Sequence, residues 1–244
     1  MPTLEWIGKD KVVNHHHEVP YRVLERQYSY DEAGQHAEDN GSENMIIHGD
    51  NLEALKALLP KYEGKVKCIY IDPPYNTGEE GWVYNDNVND PKIKKWLGEV
   101  VGKEGEDLSR HDKWLCMMYP RLKLLQRLLA EDGTIFISID DNELYSLKNI
   151  CDEIFGQRNY ITNFIWEKRL NRENRKVVSS RHDYILCYAK NISDKYVFFL
   201  GALLPLSPSQ IRPSAITSII TCSVYSQQRP AGNSCCLPLG TVRV

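Results

Sequence analysis

The 244-residue sequence contains no run of 18 or more apolar residues, which excludes a membrane-spanning helix and leaves no membrane partner expected. It also lacks any Cys-x-x-Cys pair. Its seven cysteines are an odd number, which argues against a disulfide framework and against a cysteine-rich zinc site. Met1–Val13 is too polar for a signal peptide, so a reducing cytoplasm is the expected setting. Collagen-like, coiled-coil and wholly disordered classes fail on composition, with 42% hydrophobic and 26% charged residues. Acid is missing from one whole segment: no Asp or Glu occurs between Tyr196 and Val244.

What is present divides the chain into unlike parts. Net charge is −3, but only five charged residues (Asp194, Lys195, Arg212, Arg229 and Arg243) lie beyond residue 190. Residues 1–44 read as an N-terminal extension, polar and without clear period. Within it His15, His16 and His17 are adjacent. On an extended segment they alternate faces and rarely share one metal, so they read as surface or packing residues and no metal site is expected. Residues 191–244 read as an irregular, disordered tail, with a short hydrophobic interaction segment as the alternative.

Between them, residues 45–190 alternate strands with helices. Met45–Ile47 is a short apolar run ending in His48-Gly49-Asp50-Asn51, and Leu52, Leu55, Leu58 and Leu59 follow at helical spacing, closed by Pro60 and Gly64. Val66–Ile71 is a β-prone strand that must stop at Asp72-Pro73-Pro74-Tyr75, because two prolines forbid further ladder pairing. A helix with Leu115, Met118, Leu122, Leu125, Leu128 and Leu129 on one face is kinked or restarted at Pro120 and stopped by Gly133. Thr134–Ile139 is the next strand. Asp140 and Glu143 have capping-box spacing before a helix carrying Leu144, Leu147, Ile150 and Ile154. Ile161–Trp166 and Tyr184–Ala189 supply two more strands. This order predicts an α/β fold with a mainly parallel sheet, whose carboxyl edge carries Asp50, Asp72 and Asp140 together.

The tetrapeptide Asp72-Pro73-Pro74-Tyr75 suits one kind of chemistry. An exocyclic amine on a nucleobase is a poor nucleophile, because its lone pair is delocalised into the ring. A carboxylate accepting one N–H and a rigid carbonyl accepting the other favour the pyramidal nitrogen that attacks a methyl group. Asp72 and the Pro73 carbonyl can supply these acceptors, and Tyr75 can stack on an extruded base.

The strings IIHGDNLEALKALLP, VKCIYIDPPYNTG, TIFISIDDNEL, NFIWEKR and HDYILCYAK resemble the β-class adenine-specific DNA methyltransferases. They are most similar to the modification subunits of type III restriction–modification systems, over roughly residues 1–190. The resemblance implies S-adenosylmethionine as methyl donor, adenine N6 in double-stranded DNA as acceptor, and a seven-stranded Rossmann-like sheet. It implies catalysis by Asp72, Pro73, Pro74 and Tyr75, and donor binding by Asp50 and Asn51 with Asp140 in support. Asp50 capping the following helix remains an open alternative. Asn76 and Thr77 are expected to order the loop after the tetrapeptide. A restriction subunit and a second copy of the chain are the further partners implied.

Six basic residues (Lys168, Arg169, Arg172, Arg175, Lys176 and Arg181) stand against Glu173 alone between two strands, which favours contact with DNA phosphates over a merely solvated face. In the long polar stretch 79–111, Trp82, Tyr84 and Trp96 are expected to anchor the loop to the body. The sequence has no Phe-x-Gly-x-Gly loop, which in this family lies close to the donor's methionine part. The sheet is therefore expected to be incomplete, part of a truncated enzyme, with apolar edges open around Ile69, Ile71, Phe136 and Ile139 and marginal stability. A non-catalytic DNA-binding or subunit-interaction remnant is the second reading.

Overall fold

The computed structural model describes residues 3–41, 44–77, 110–168, 181–192, 219–223 and 241–243. Two helical turns, α1 (Lys9–Val12) and α2 (His15–Glu18), open the chain, followed by a small hairpin of β1 (Ser29–Asp31) and β2 (Gly34–His36). Then come β3 (Ile46–Ile47), α3 (Asn51–Tyr62), β4 (Val66–Asp72), α4 (Arg110–Leu128), β5 (Leu129–Ile139) and α5 (Leu144–Cys151). A π turn and a 3₁₀ turn lead into β6 (Tyr160–Glu167) and β7 (His182–Ala189), and β8 (Ile219–Ser223) and β9 (Thr241–Arg243) complete the set.

Seven of these strands form one sheet in the order β3-β9-β8-β4-β5-β7-β6. The expectation of a mainly parallel sheet is corrected: only β4 with β5 and β4 with β8 run parallel, and the other four pairings are antiparallel. The reason is connectivity. β6 and β7 form a hairpin-like pair whose base is closed by the Lys168 N–H donating to the Arg181 carbonyl at 2.8 Å, so β7 returns against β5. The edge expected to be open is also occupied. β8 pairs with β4 from Cys68 to Asp72, and Ile69, Ile71 and Ile139 are buried while Phe136 is half-buried. Among the described residues, the exposed apolar side chains of the sheet lie instead on its two outermost strands, Ile165 and Trp166 on β6 and Ile46 on β3.

The helices form where apolar spacing and capping agree. In α3 the Asp50 carboxylate accepts the N–H groups of Leu52 (2.9 Å) and Glu53 (3.1 Å), and Leu55, Leu58 and Leu59 face the core. Pro60 sits in its last turn, and Gly64, at φ +68°, turns the chain into β4. α4 runs unbroken through Pro120 and ends at Leu128, not at Gly133, which lies inside β5. Glycine is needed there for close approach, since a Cβ would stand 2.7 Å from the Val66 carbonyl oxygen.

α4 is buried almost all round because the N-terminal segment covers it. Trp6, Val12 and Val19 join the main core, the Trp6 and Tyr119 rings lie 5.6 Å apart, and the Lys9 ammonium donates to Glu153 at 2.8 Å. His15–His17 are helical, not extended, with His15 and His16 buried and His17 exposed. Burial pushes the His16 imidazole down to about 4. Among the described residues no three metal-ligating side chains converge, and no helix is long and apolar enough to cross a membrane.

Candidate active site

β4 and β5 lie side by side and parallel, so Asp72 and Asp140 emerge from neighbouring strand ends. Antiparallel β7 brings its beginning to that same edge: Tyr184 stands opposite Ile139, and Trp166 of β6 stands opposite Asp183. Between them is a cleft of about 360 Å³. Tyr70 and Ser138 lie within it, their hydroxyls 2.7 Å apart. Asp72 and Asp183 supply its two carboxylates, and Tyr75, Trp166, Tyr184 and Ile185 its apolar lining.

The electrostatics of Asp72 follow from its position. Burial pushes its carboxyl above the usual range, the Tyr75 hydroxyl donating to it opposes this, and the Asp183 charge adds to the rise. The Tyr75 hydroxyl is itself pushed up, by burial first and by Asp72 next. Tyr75 is half-buried in the wall beside Asp72. Pro73 and Pro74 are buried, and the Pro74 carbonyl accepts the Trp114 indole N–H at 2.7 Å. That bond fixes the peptide plane of the tetrapeptide from outside, because Trp114 is itself fully enclosed in α4.

The remaining residues singled out by sequence separate into three groups. Asp140 stays beside the cleft. Its carboxylate accepts the Asn142 backbone N–H (2.9 Å) and side-chain amide (2.7 Å). Burial raises its carboxyl, those two bonds oppose the rise, and Asp183 adds to it. The capping box with Glu143 does not form, since Glu143 turns inward to Asn76 and His111. Asp50 and Asn51 lie outside the cleft. β3 is three places from β4 in the sheet, Asp50 is an exposed cap, and buried Asn51 accepts the Arg121 Nε at 2.8 Å. The expected gathering of three acids is therefore two, Asp72 and Asp140, joined by Asp183.

Of the basic residues, Lys168 is held by Asp183 at 2.6 Å and Arg181 is exposed. Arg169, Arg172, Arg175 and Lys176, like Trp82, Tyr84 and Trp96, lie outside the described residues. Sequence reasoning missed Asp183, Trp166 and Glu143 as site neighbours. The available signal for Asp183 was an acid at the mouth of the otherwise apolar strand Tyr184–Ala189.

A family model described as DNA methylase matches residues 66–213. The modification subunit of the type III enzyme EcoP15I from Escherichia coli is 40% identical over 201 residues, covering 78% of this chain and 30% of its own. That of EcoPI from Escherichia phage P1 is 41% identical over 203 residues, covering 78% and 30%. The type II methyltransferase M.KpnI of Klebsiella pneumoniae is 32% identical over 166 residues, covering 68% and 37%. The chain thus spans about 30% of the length of the type III relatives it matches. Among solved structures, the cytosine-N4-specific PvuII DNA methyltransferase aligns with a TM-score of 0.39 at 13% identity, covering 74% of this chain and 57% of that one. With the family model matching well over half of its residues, the chain belongs to the DNA methylase family.

Proposed function

We propose that this chain carries the catalytic centre of a DNA methyltransferase that methylates adenine N6 within a type III restriction–modification system. The observation behind the reading is the placement of Asp72-Pro73-Pro74-Tyr75 at the end of β4, in a cleft lined by aromatic rings and a second carboxylate. S-adenosylmethionine, when bound, supplies a methyl group on a sulfonium cation. Asp72 and Asp140 at this edge are of the right sign to accommodate that cation, while Asp183 is paired with Lys168.

The residues divide the work by position. Asp72, ionised, accepts one N–H of the adenine amine and localises the lone pair on nitrogen. Trp114 engages the Pro74 carbonyl, so the Pro73 carbonyl is the neighbouring acceptor for the second N–H. As the nitrogen takes the methyl group it becomes cationic, and its acidified proton leaves by way of the Asp72 carboxylate to water. Tyr75 lines the cleft beside Asp72 and contributes ring surface. Trp166, 61% exposed at the rim, offers a ring face on which an extruded base can stack. Duplex DNA is the substrate in this reading, and a restriction subunit is the protein partner.

The test is methyl transfer by the full chain from isotopically labelled S-adenosylmethionine to unmethylated duplex DNA, followed by nucleoside digestion. Label in N6-methyladenine is expected. Label in N4-methylcytosine, or none, defeats the assignment. The variant Trp166→Ala is expected to weaken DNA binding by about 1–3 kcal/mol, the scale of one base–aromatic stack. Unchanged affinity in a fluorescence titration with duplex DNA would remove Trp166 from the platform.

A further inference from the structure

Asn76 directly follows the tetrapeptide, and its φ of 56° makes it the one non-glycine residue with positive φ among the described residues. Its side chain is almost fully enclosed, at 1% exposure. The amide nitrogen donates to Glu143 Oε1 and, at 3.4 Å, to the Arg110 carbonyl. Glu143 is 0% exposed, and the same Oε1 lies 2.6 Å from His111 Nδ1, whose side chain is half exposed. Glu143 Oε1 is thus shared between the Asn76 amide and the His111 ring nitrogen. Three segments meet at this one oxygen: the exit of β4, the first turn of α4 and the residue before α5.

The arrangement is a poor one for stability. Among the described residues, Glu143 Oε2 and Asn76 Oδ1 are buried without a hydrogen-bond partner, and a buried acceptor left unpaired carries its full desolvation penalty. Apolar replacement of a buried ionic group is often neutral or stabilising. What Glu143 does contact is the residue that turns the chain out of the tetrapeptide, so its contribution is to the direction of that turn.

We propose that Glu143, with His111 behind it, is a positioning residue for the Asp72–Tyr75 turn. It holds the Asn76 side chain, Asn76 holds the left-handed turn, and the turn fixes how Tyr75 and Asp72 face the cleft. This rests on the reading of that turn as the methyl-transfer centre. A small misplacement of reacting groups costs about 100-fold in rate. Glu143, being enclosed, touches no DNA, so its loss acts on kcat and leaves KM for DNA nearly unchanged.

The test compares the full chain with Glu143→Ala, Glu143→Gln and His111→Ala by amide hydrogen exchange, without donor or DNA. In Glu143→Ala the amides of residues 75–77 are expected to exchange on the order of tenfold faster, while those of β6 and β7 keep their rates. Glu143→Gln retains an oxygen for the Asn76 amide and is expected to restore protection. His111→Ala is expected to fall between. In methyl transfer, Glu143→Ala should lose about 100-fold in kcat and Glu143→Gln should recover most of it. Unchanged exchange at 75–77, or faster exchange spread through β6 and β7, overturns the proposal, as does a glutamine variant no better than alanine. If Glu143→Ala does not fold, the glutamine and His111 variants decide. Inactivity of the unsubstituted chain would defeat the methyl-transfer reading instead, and the exchange data would still decide whether Glu143 holds the turn.

Discussion

Replacing Asp72 with alanine is expected to lower methyl transfer by about 10³-fold, the scale seen when a preorganised polar group is removed from a reacting centre. Asp72→Asn separates the two properties of the carboxylate, because it keeps an acceptor oxygen but loses the charge. Burial holds the Asp72 carboxyl above its ordinary value of 3.8, so the folded chain binds this proton more tightly than the unfolded chain. The stabilisation from that proton is fully present below 3.8 and is lost as pH rises through the elevated folded value. At neutral pH the ionised, desolvated carboxylate therefore costs stability. Asp72→Asn is expected to raise the melting temperature at neutral pH, with the advantage shrinking as pH falls toward 3.8. Transfer by the unsubstituted chain should show an acid limb above the ordinary carboxylate range, and the asparagine variant should lack it. Melting curves and rate–pH profiles of the two chains check both statements. A lower melting temperature for Asp72→Asn at neutral pH would show that burial does not dominate at this carboxylate.

Leu122→Ala is expected to have the largest effect on stability. Leu122 is fully enclosed in α4, the helix that the N-terminal segment covers from one side and that packs on α3 and the sheet. Its truncation removes buried methyl groups where the surroundings are fixed by Tyr119, Leu125 and other enclosed side chains, so little collapse can fill the space. The expected loss is about 2–5 kcal/mol. At about 2–4 °C per kcal/mol for a chain of this size, calorimetry should show a fall of about 10 °C. A shift within about 1 °C would place α4 outside the cooperative core. A second transition appearing in the variant would show that the N-terminal segment unfolds separately from the sheet.

Several elements were legible in sequence because their signal is local. The spacing of Leu52, Leu55, Leu58 and Leu59 marks α3, and the β-branched run before Pro73 marks both β4 and its end. The acid left at that end, Asp72, is where the cleft forms. Capping by Asp50, weighed beside donor binding, is what its contacts show. Local signals failed where two of them competed. Gly133 has the local mark of a helix stop, but its lack of a side chain serves a close approach of strands, and α4 ends already at Leu128. The Asp140–Glu143 spacing fits a capping box, yet burial draws Glu143 to Asn76 and His111, residues 67 and 32 positions away. The N-terminal 44 residues showed no period because their core contacts come from single side chains such as Trp6, Val12 and Val19 on short turns.

By itself the sequence determined the order of helices and strands among the described residues of 45–190, the tetrapeptide at a strand end, and the family. Each depends on contiguous residues, whose propensity and spacing act without the rest of the chain. The direction of β7, the partner of β4 at its other edge, and the company of Asp72 were decided only by tertiary structure. Because β7 runs back against β5, residues 183 and 184 arrive at the carboxyl edge beside residue 72, more than 100 positions earlier. Strand direction depends on long-range pairing, which no local window of sequence encodes.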